Sequence, residues 1–246
     1  MEPIRIQKFF TDCGVLSRRA AEEEIKAGRV QINGEIAQVG QKIDLEHDRV
    51  TYRGKPVTMD THPRNVYVML NKPRGYVTTM HDEHGRPCVT KLIEDIPVRV
   101  YPIGRLDMDS EGLLLLTNDG ELANKLTHPR HEIPKIYHVK IAGTVTQEQL
   151  KALGKPMDID GYVIQPVEVK LISIQQDHCV LRMTLYEGRN RQIRKMCQTQ
   201  KLNILTLRRI AIGDLELGNL APGQWRYLTQ SQIQYLKSNG ASAKKR

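Results

Sequence analysis

From Val66 onward, short apolar or alternating segments recur between clusters of turn residues, and few are long enough to be helices. Strand signals fall at Val66 to Asn71, Arg99 to Pro102 and Gly112 to Thr117, and over 136–142, 163–174, 178–186 and 204–217. Helix signals fall near Glu121 to Leu126 and over 146–153, 190–200 and 229–238. Strands outnumber helices and do not alternate with them strictly. A parallel, doubly wound sheet needs that alternation, so the pattern predicts an α+β chain with a largely antiparallel, mixed sheet. The longest aliphatic run is the four leucines Leu113 to Leu116. A membrane-spanning helix needs roughly 20 apolar residues, so no span is expected.

A smaller unit of helices followed by short strands comes first. Phe9, Phe10 and Cys13 form an apolar stripe that stops at Gly14. Ser17 is placed to cap a second helix that carries Ala20, Ala21 and Ile25 and ends at Gly28. Val30 and Ile32 then run into Asn33-Gly34, the dipeptide of two-residue hairpin turns, and Asp48 to Val57 forms a similar pair around Arg53-Gly54. Met59 to Arg64 has no periodicity and reads as a linker. The expected domains are residues 1–60 and 61–240, with 241–246 a basic tail.

The 37 basic and 28 acidic residues leave a net charge of +9, which points to an anionic partner. Its distribution is uneven. Residues 1–63 hold ten of each sign, residues 64–181 hold 14 basic and 15 acidic, and residues 182–246 hold 13 basic and 3 acidic. A general nucleic-acid packaging protein would not leave its first two thirds without excess charge. The four cysteines, Cys13, Cys88, Cys179 and Cys197, are far apart and form no CxxC pair. A disulfide framework or zinc ribbon is therefore excluded, and a reducing cytoplasm fits. Met1 to Arg5 has no apolar stretch after a basic start, so no secretory signal is expected.

The densest polar constellation is Gly104-Arg105-Leu106-Asp107-Met108-Asp109-Ser110-Glu111-Gly112. A calcium loop would need a bidentate glutamate where Asn118 stands and a helix leading in, and four leucines occupy its interior. Asp109 and Glu111 read as turn acids facing water. Asp107 differs, because Arg105 accompanies it into a loop between two strands, where functional groups tend to sit. A second constellation is Glu187-Gly188-Arg189-Asn190-Arg191-Gln192-Ile193-Arg194-Lys195-Met196-Cys197. On a helix, Ile193, Met196 and Cys197 share an apolar face, opposite Arg191, Arg194, Lys195 and Gln198. That basic face is either solvated or used to hold a phosphate or pin a carboxylate. In Lys135-Ile136-Tyr137-His138-Val139, Tyr137 and Val139 share a strand face, and Tyr137 reads as a core tyrosine. The histidine pairs His81/His84 and His128/His131 have no further ligand but Cys88, so no metal is expected. There is no phosphate-cradling glycine loop, GxSxG or CxxC, so no cofactor is expected either.

Taken in order, three motifs resemble the signature of bacterial ribosomal pseudouridine synthases of the RsuA/RluB type, nearest to the large-subunit RluB type. They are Gly104-Arg105-Leu106-Asp107 with Asp109 to Gly120, Lys135-Ile136-Tyr137, and Gly188 to Met196. Ser17 to Ala21 and Gly28 to Gly34 resemble the α-L (S4-like) RNA-binding module that precedes the catalytic domain in that family. Ser110 departs from the family's more usual threonine and keeps the hydroxyl. The resemblance implies an isomerase that breaks the glycosidic bond of a uridine, turns the base and rejoins it through carbon five, without a cofactor. It assigns Asp107 as the essential carboxylate, acting as nucleophile or as base. Either role needs the ionised form, which a neighbouring guanidinium favours. Arg194 is assigned as that neighbour, with Arg191, one helical turn away, next in line. Tyr137 would stack on the target base and handle the proton at carbon five. Arg105 would be a wedge or phosphate contact for a flipped nucleotide, whose extrusion costs a few kcal/mol. Arg189, Arg191 and Lys195 would bind substrate, and Arg18, Arg19, Lys26 and Arg29 would meet RNA phosphates. The expected partner is ribosomal RNA, free or in an assembly intermediate, bound by a monomer. The alternative is a non-catalytic RNA-binding or ribosome-assembly protein that retains the fold; the presence of Asp107, Tyr137 and Arg194 argues against it.

Overall fold

Leu113 to Leu116 form an unbroken apolar run because both faces of their strand are covered. Leu113 and Leu115 pack on one side with Tyr67 and Met69, and Leu114 and Leu116 pack on the other with Val68 and Leu70. All four leucines are essentially inaccessible to water, each worth roughly 1.5–3 kcal/mol of apolar burial. The structure, a computed structural model, describes residues 2–59, 65–128 and 132–239. Most of the expected linker, His131 and the tail 241–246 lie outside the described residues. The chain divides into two compact units, Met1–Asn65 and Val66–Arg246.

In the first unit, β1 (Ile4–Arg5) leads into α1 (Ile6–Asp12) and α2 (Arg18–Lys26). There follow β2 (Val30–Ile32), β3 (Glu35–Ile36), β4 (Lys42–Ile43), β5 (Val50–Tyr52) and β6 (Lys55–Val57). The Ser17 hydroxyl accepts the Ala20 amide at 3.1 Å, capping α2 as the sequence predicts. β3, β2, β5 and β6 pair in that order. Both of their tight turns use left-handed residues, Asn33 and Gly34 at φ 54° and 90°, and Arg53 and Gly54 at φ 49° and 75°. The core gathers Ile6, Phe10, Ala21, Ile25, Val30 and Ile43.

The second unit contains β7 (Tyr67–Lys72), β8 (Tyr101–Ile103), β9 (Glu111–Thr117), α3 (Gly120–Thr127), β10 (Lys135–Ala142) and α4 (Gln147–Gly154). The hairpin of β11 (Asp158–Ile159) and β12 (Tyr162–Val163) comes next, then β13 (Glu168–Ile174), β14 (His178–Leu185), α5 (Gln192–Thr199) and β15 (Ile204–Ile212). β16 (Leu215–Glu216), β17 (Trp225–Tyr227) and α6 (Gln230–Asn239) complete it. Nine strands make one sheet with the path β13-β14-β10-β15-β9-β7-β17, while β16 pairs with β15 and β8 with β9. The β15–β9 pair alone among them is parallel, so the fold is α+β with a mixed, mostly antiparallel sheet, as the segment pattern predicts. That junction of β10, β15 and β9 carries the site. Two strand segments differ from expectation. The 163–174 segment splits, because 162–163 is used in the β11–β12 hairpin. The 204–217 segment folds back at Gly213, φ 57°, to return as β16.

Candidate active site

A cleft of about 640 Å³ opens beside the β10–β15–β9 junction, lined by Arg105, Asp107, Tyr137, Arg189, Arg191 and Arg209 among others. Asp107 sits in the loop between β8 and β9, and that loop is held from behind. Lys72, at the end of β7 and fully buried, donates from Nζ to the carbonyls of Pro73 (3.0 Å), Asp107 (3.0 Å) and Ser110 (2.8 Å). The Thr78 hydroxyl donates to the Leu106 carbonyl at 2.6 Å and accepts the Leu106 amide at 3.2 Å. The Gly75 amide donates to the Met108 carbonyl at 2.8 Å. These anchors all engage backbone atoms of the loop, and the Asp107 side chain, one third exposed, lines the cleft. Burial pushes the Lys72 ammonium down to about 8, against the pull of Asp107, Asp109 and Glu111.

The arginines are arranged differently from the expectation. α5 begins at Gln192, so Arg191 is the residue before its first turn and adopts a left-handed φ of 51°. Such a conformation is uncommon for a non-glycine residue and costs on the order of 1 kcal/mol. Its guanidinium reaches both acids of the loop, with Nη1 3.5 Å from the Asp107 carboxylate and two 3.1 Å bonds to Asp109. Arg194, one turn further and mostly buried, turns to Asp109 instead of Asp107. Its Nη2 donates to the Asp109 carbonyl at 2.9 Å and to the Ser110 hydroxyl at 3.3 Å, and Nε lies 3.3 Å from the Asp109 carboxylate. Asp109 is therefore no solvated turn acid. Burial opposes its charge, but the bond from Arg191 and the charges of Arg194 and Arg191 outweigh that and hold its carboxyl below the usual range.

Tyr137 lines the cleft, half-buried, and packs against the cores on both sides of it. Arg105 is exposed on the cleft wall. Arg189 lies over the Tyr162 ring at 3.4 Å. Lys195 pairs with Asp160 on the β11–β12 hairpin and is not part of the cleft wall. Ile193, Met196 and Cys197 are buried on the apolar face of α5, and burial pushes the Cys197 thiol up to about 12. In the first unit, Arg18, Arg19 and Lys26 are exposed, whereas Arg29 is clasped to Glu24 by bonds of 2.7 and 2.8 Å. The cysteines are unpaired, and no metal-holding cluster of His, Cys, Asp or Glu occurs among the described residues.

Residues 66–199 match the family described as RNA pseudouridylate synthase, and residues 4–50 match the S4 domain. The chain belongs to the RNA pseudouridine synthases. It is 40% identical over 238 residues to an RNA pseudouridine synthase of Aquifex aeolicus, covering 96% of this chain and 94% of that one. It is 39% identical to ribosomal large subunit pseudouridine synthase B of Bacillus subtilis, covering 95% and 96%. A crystal structure described as pseudouridylate synthase superposes with a TM-score of 0.66 at 32% identity, over 95% of this chain and 99% of that one. In this pseudouridine synthase, three residues hold the site in ways that their place in the sequence pattern does not mark. Lys72 precedes a Pro-Arg-Gly turn and resembles a solvated turn lysine. Gln192, 3% exposed, ties the arginine loop together by donating to Glu187 at 2.9 Å and accepting the Arg189 amide at 3.1 Å. Gly112 stands against Arg209, where a Cβ would meet the Arg209 carbonyl at 2.2 Å. Its φ of +105° is a second reason for glycine there.

Proposed function

We propose that this pseudouridine synthase isomerises a uridine of large-subunit ribosomal RNA, with Asp107 as the essential carboxylate. The observation that carries the reading is the Asp107 side chain. It stands in an open cleft on a loop fixed by Lys72 and Thr78, with an arginine at its carboxylate. The Bacillus subtilis relative supplies the substrate class by its name. A uridine inside a helix cannot reach such a carboxylate, so the nucleotide is extruded into the cleft, where Tyr137 offers a stacking face. Two routes are open to a carboxylate at that point, attack on C1′ or removal of the C2′ proton. Both release the base from C1′ while the ribose stays in the chain. Arg191 reaches the Asp107 carboxylate and aims it, and Arg194 supports it indirectly by fixing Asp109 and the loop. Arg105 and Arg189 on the cleft wall, with Lys195 further along α5, meet the surrounding phosphates. Arg18, Arg19 and Lys26 of the S4 unit meet others, and Arg29 acts through Glu24. Residues 1–60 and 61–240 are the RNA-binding and catalytic domains, and the protein works as a cytoplasmic monomer on RNA or an assembly intermediate.

Pseudouridine mapping tests this on ribosomal RNA from a strain lacking the protein. One large-subunit site is expected to lose its modification and to regain it with the wild-type protein but not with Asp107→Asn. Asp107→Asn is expected to bind the RNA within about threefold of wild type, since the backbone bonds of Lys72 and Thr78, and not the carboxylate, hold the loop in place. A deletion that changes no site on either subunit, or full turnover by the variant, rejects the reading.

A further inference from the structure

Two cations that line the cleft lack a counterion among the described residues. Arg209 on β15 is the direct cross-strand partner of Tyr137 on β10, and Lys135 precedes Tyr137 by two residues. Positions so related share one face of a sheet, and all three residues line the cleft. Arg209 is 5% exposed; its Nε donates to the Leu113 carbonyl at 2.7 Å, while its Nη2 is buried without a hydrogen-bond partner. Neither Arg209 nor Lys135 has a carboxylate at ion-pair distance among the described residues. Burial pushes the Lys135 ammonium down to about 8, and the Arg209 charge adds to the push. Lys72 makes the contrast. It is lowered as far, yet three acids offset its burial and three carbonyls accept its protons. The other charged groups lining the cleft are Asp107 and Arg105, Glu132, and Glu187, Arg189 and Arg191. A buried like-charged pair is unfavourable in the empty protein. Such an arrangement suits a place where negative charge develops during a reaction.

Resting on the pseudouridine synthase reading, we propose that Lys135 and Arg209 form the pocket for the departing uracil and hold it as an anion while it turns. The N1–C1′ bond breaks with its electron pair on the base, so uracil leaves as a monoanion with charge spread over N1, O2 and O4. C1′ is meanwhile bonded to the Asp107 carboxylate, or part of a glycal after loss of the C2′ proton. After rotation, C5 gives its electron pair to C1′, which releases the Asp107 carboxylate or, from the glycal, takes back the proton at C2′ from the Asp107 carboxyl; the C5 proton is then lost while N1 gains one. No outside oxidant or reductant enters. A phosphate is the poorer occupant there, because the exposed Arg105, Arg189 and Arg191 of the same cleft offer it more accessible cations. Tyr137, beside both cations, places the uracil ring over them.

The test compares Lys135→Met and Lys135→Arg with wild type in single-turnover assays on ribosomal RNA, with binding measured separately. Lys135→Met fills the same space without charge, and its melting curve verifies folding. Its rate is expected to fall roughly 10²–10³-fold, the loss typical of a removed charge-stabilising donor, with RNA affinity within about twofold. The wild-type rate is expected to decline as pH rises through about 8, where the ammonium loses its proton. Lys135→Met removes its share of that limb and leaves only the part due to Lys72, and so does Lys135→Arg, which keeps most of the rate. A rate loss below about threefold overturns the proposal. So does a loss that appears as weaker RNA binding, which marks a phosphate contact, or an alkaline limb as steep in Lys135→Met as in wild type, which belongs to Lys72 alone. An Asp107→Asn control in the same assay separates the two readings, since persistent turnover there removes Asp107 from its role without touching a Lys135 effect.

Discussion

Lys72 ties the Asp107 loop together from a position closed to solvent. Its ammonium is wholly enclosed, and its bonds to Pro73, Asp107 and Ser110 close the turn that presents the Asp107 side chain. Replacing it by Met conserves volume but leaves those carbonyls without a donor. Unpaired buried polar groups cost about 1–3 kcal/mol each, shared here among groups that relax together, so a stability loss of about 2–4 kcal/mol is expected. The loop then loosens, and misplacement by about 1 Å lowers turnover on the order of 10²-fold. RNA affinity is expected to stay within about threefold, because an enclosed side chain contacts no RNA. Single-turnover rates, melting curves and filter binding read the three effects. A variant that loses affinity as strongly as rate would show that the loop binds RNA directly. Lys72→Arg is expected to be no better than Met, since three carbonyls at 2.8–3.0 Å leave no room for a fork.

Short elements were legible where a single local interaction decides them. Ser17 capping α2 and the Asn33-Gly34 turn each depend on atoms within three residues, and the sequence patterns identify both. The start of α5 was displaced because Arg191 takes a left-handed conformation that no pattern of charge or hydrophobicity marks. The partners of Asp109 lie 82 and 85 positions away in the chain, so its environment depends on the β9–β15 pairing that brings them together. In α2 a similar non-local clasp carries a pH signature. Hydrogen bonds from Arg29 and Arg53 hold the Glu24 carboxyl at about 2, below its ordinary 4.5. Between those values the unfolded chain binds more protons than the folded one, so stability rises with pH across the window. The contribution is complete above about 4.5 and is lost as the pH falls toward 2. Hydrogen-exchange protection of the α2 amides, corrected for intrinsic rate, is expected to decline over that range in wild type and less steeply in Glu24→Gln. Parallel curves would remove Glu24 as the cause.

At the scale of the molecule, each unit closes its own core, and the excess charge belongs to one of them. Phe10, Ile25 and Val30 centre the first core, while the three clusters of the second draw only on residues from Val66 onward. Residues 66–246 alone are therefore expected to fold and to retain single-turnover activity within about threefold at saturating RNA. Their charge is concentrated over 182–246, where 13 basic residues face 3 acidic ones. The first unit is neutral over residues 1–63, and its Arg29 and Arg53 are both held by Glu24. Of its expected RNA contacts, Arg18, Arg19 and Lys26 remain without such a clasp. Each neutralised phosphate contributes roughly 0.7–0.9 to the slope of log affinity against log salt. Removing the first unit is thus expected to weaken binding about 10–100-fold while lowering that slope by no more than about 3. A larger fall would place the main phosphate contacts on the S4 unit despite its balanced charge. A fragment that binds with an unchanged slope but no longer turns over would mean that the S4 unit presents the target nucleotide to the cleft, beyond adding affinity.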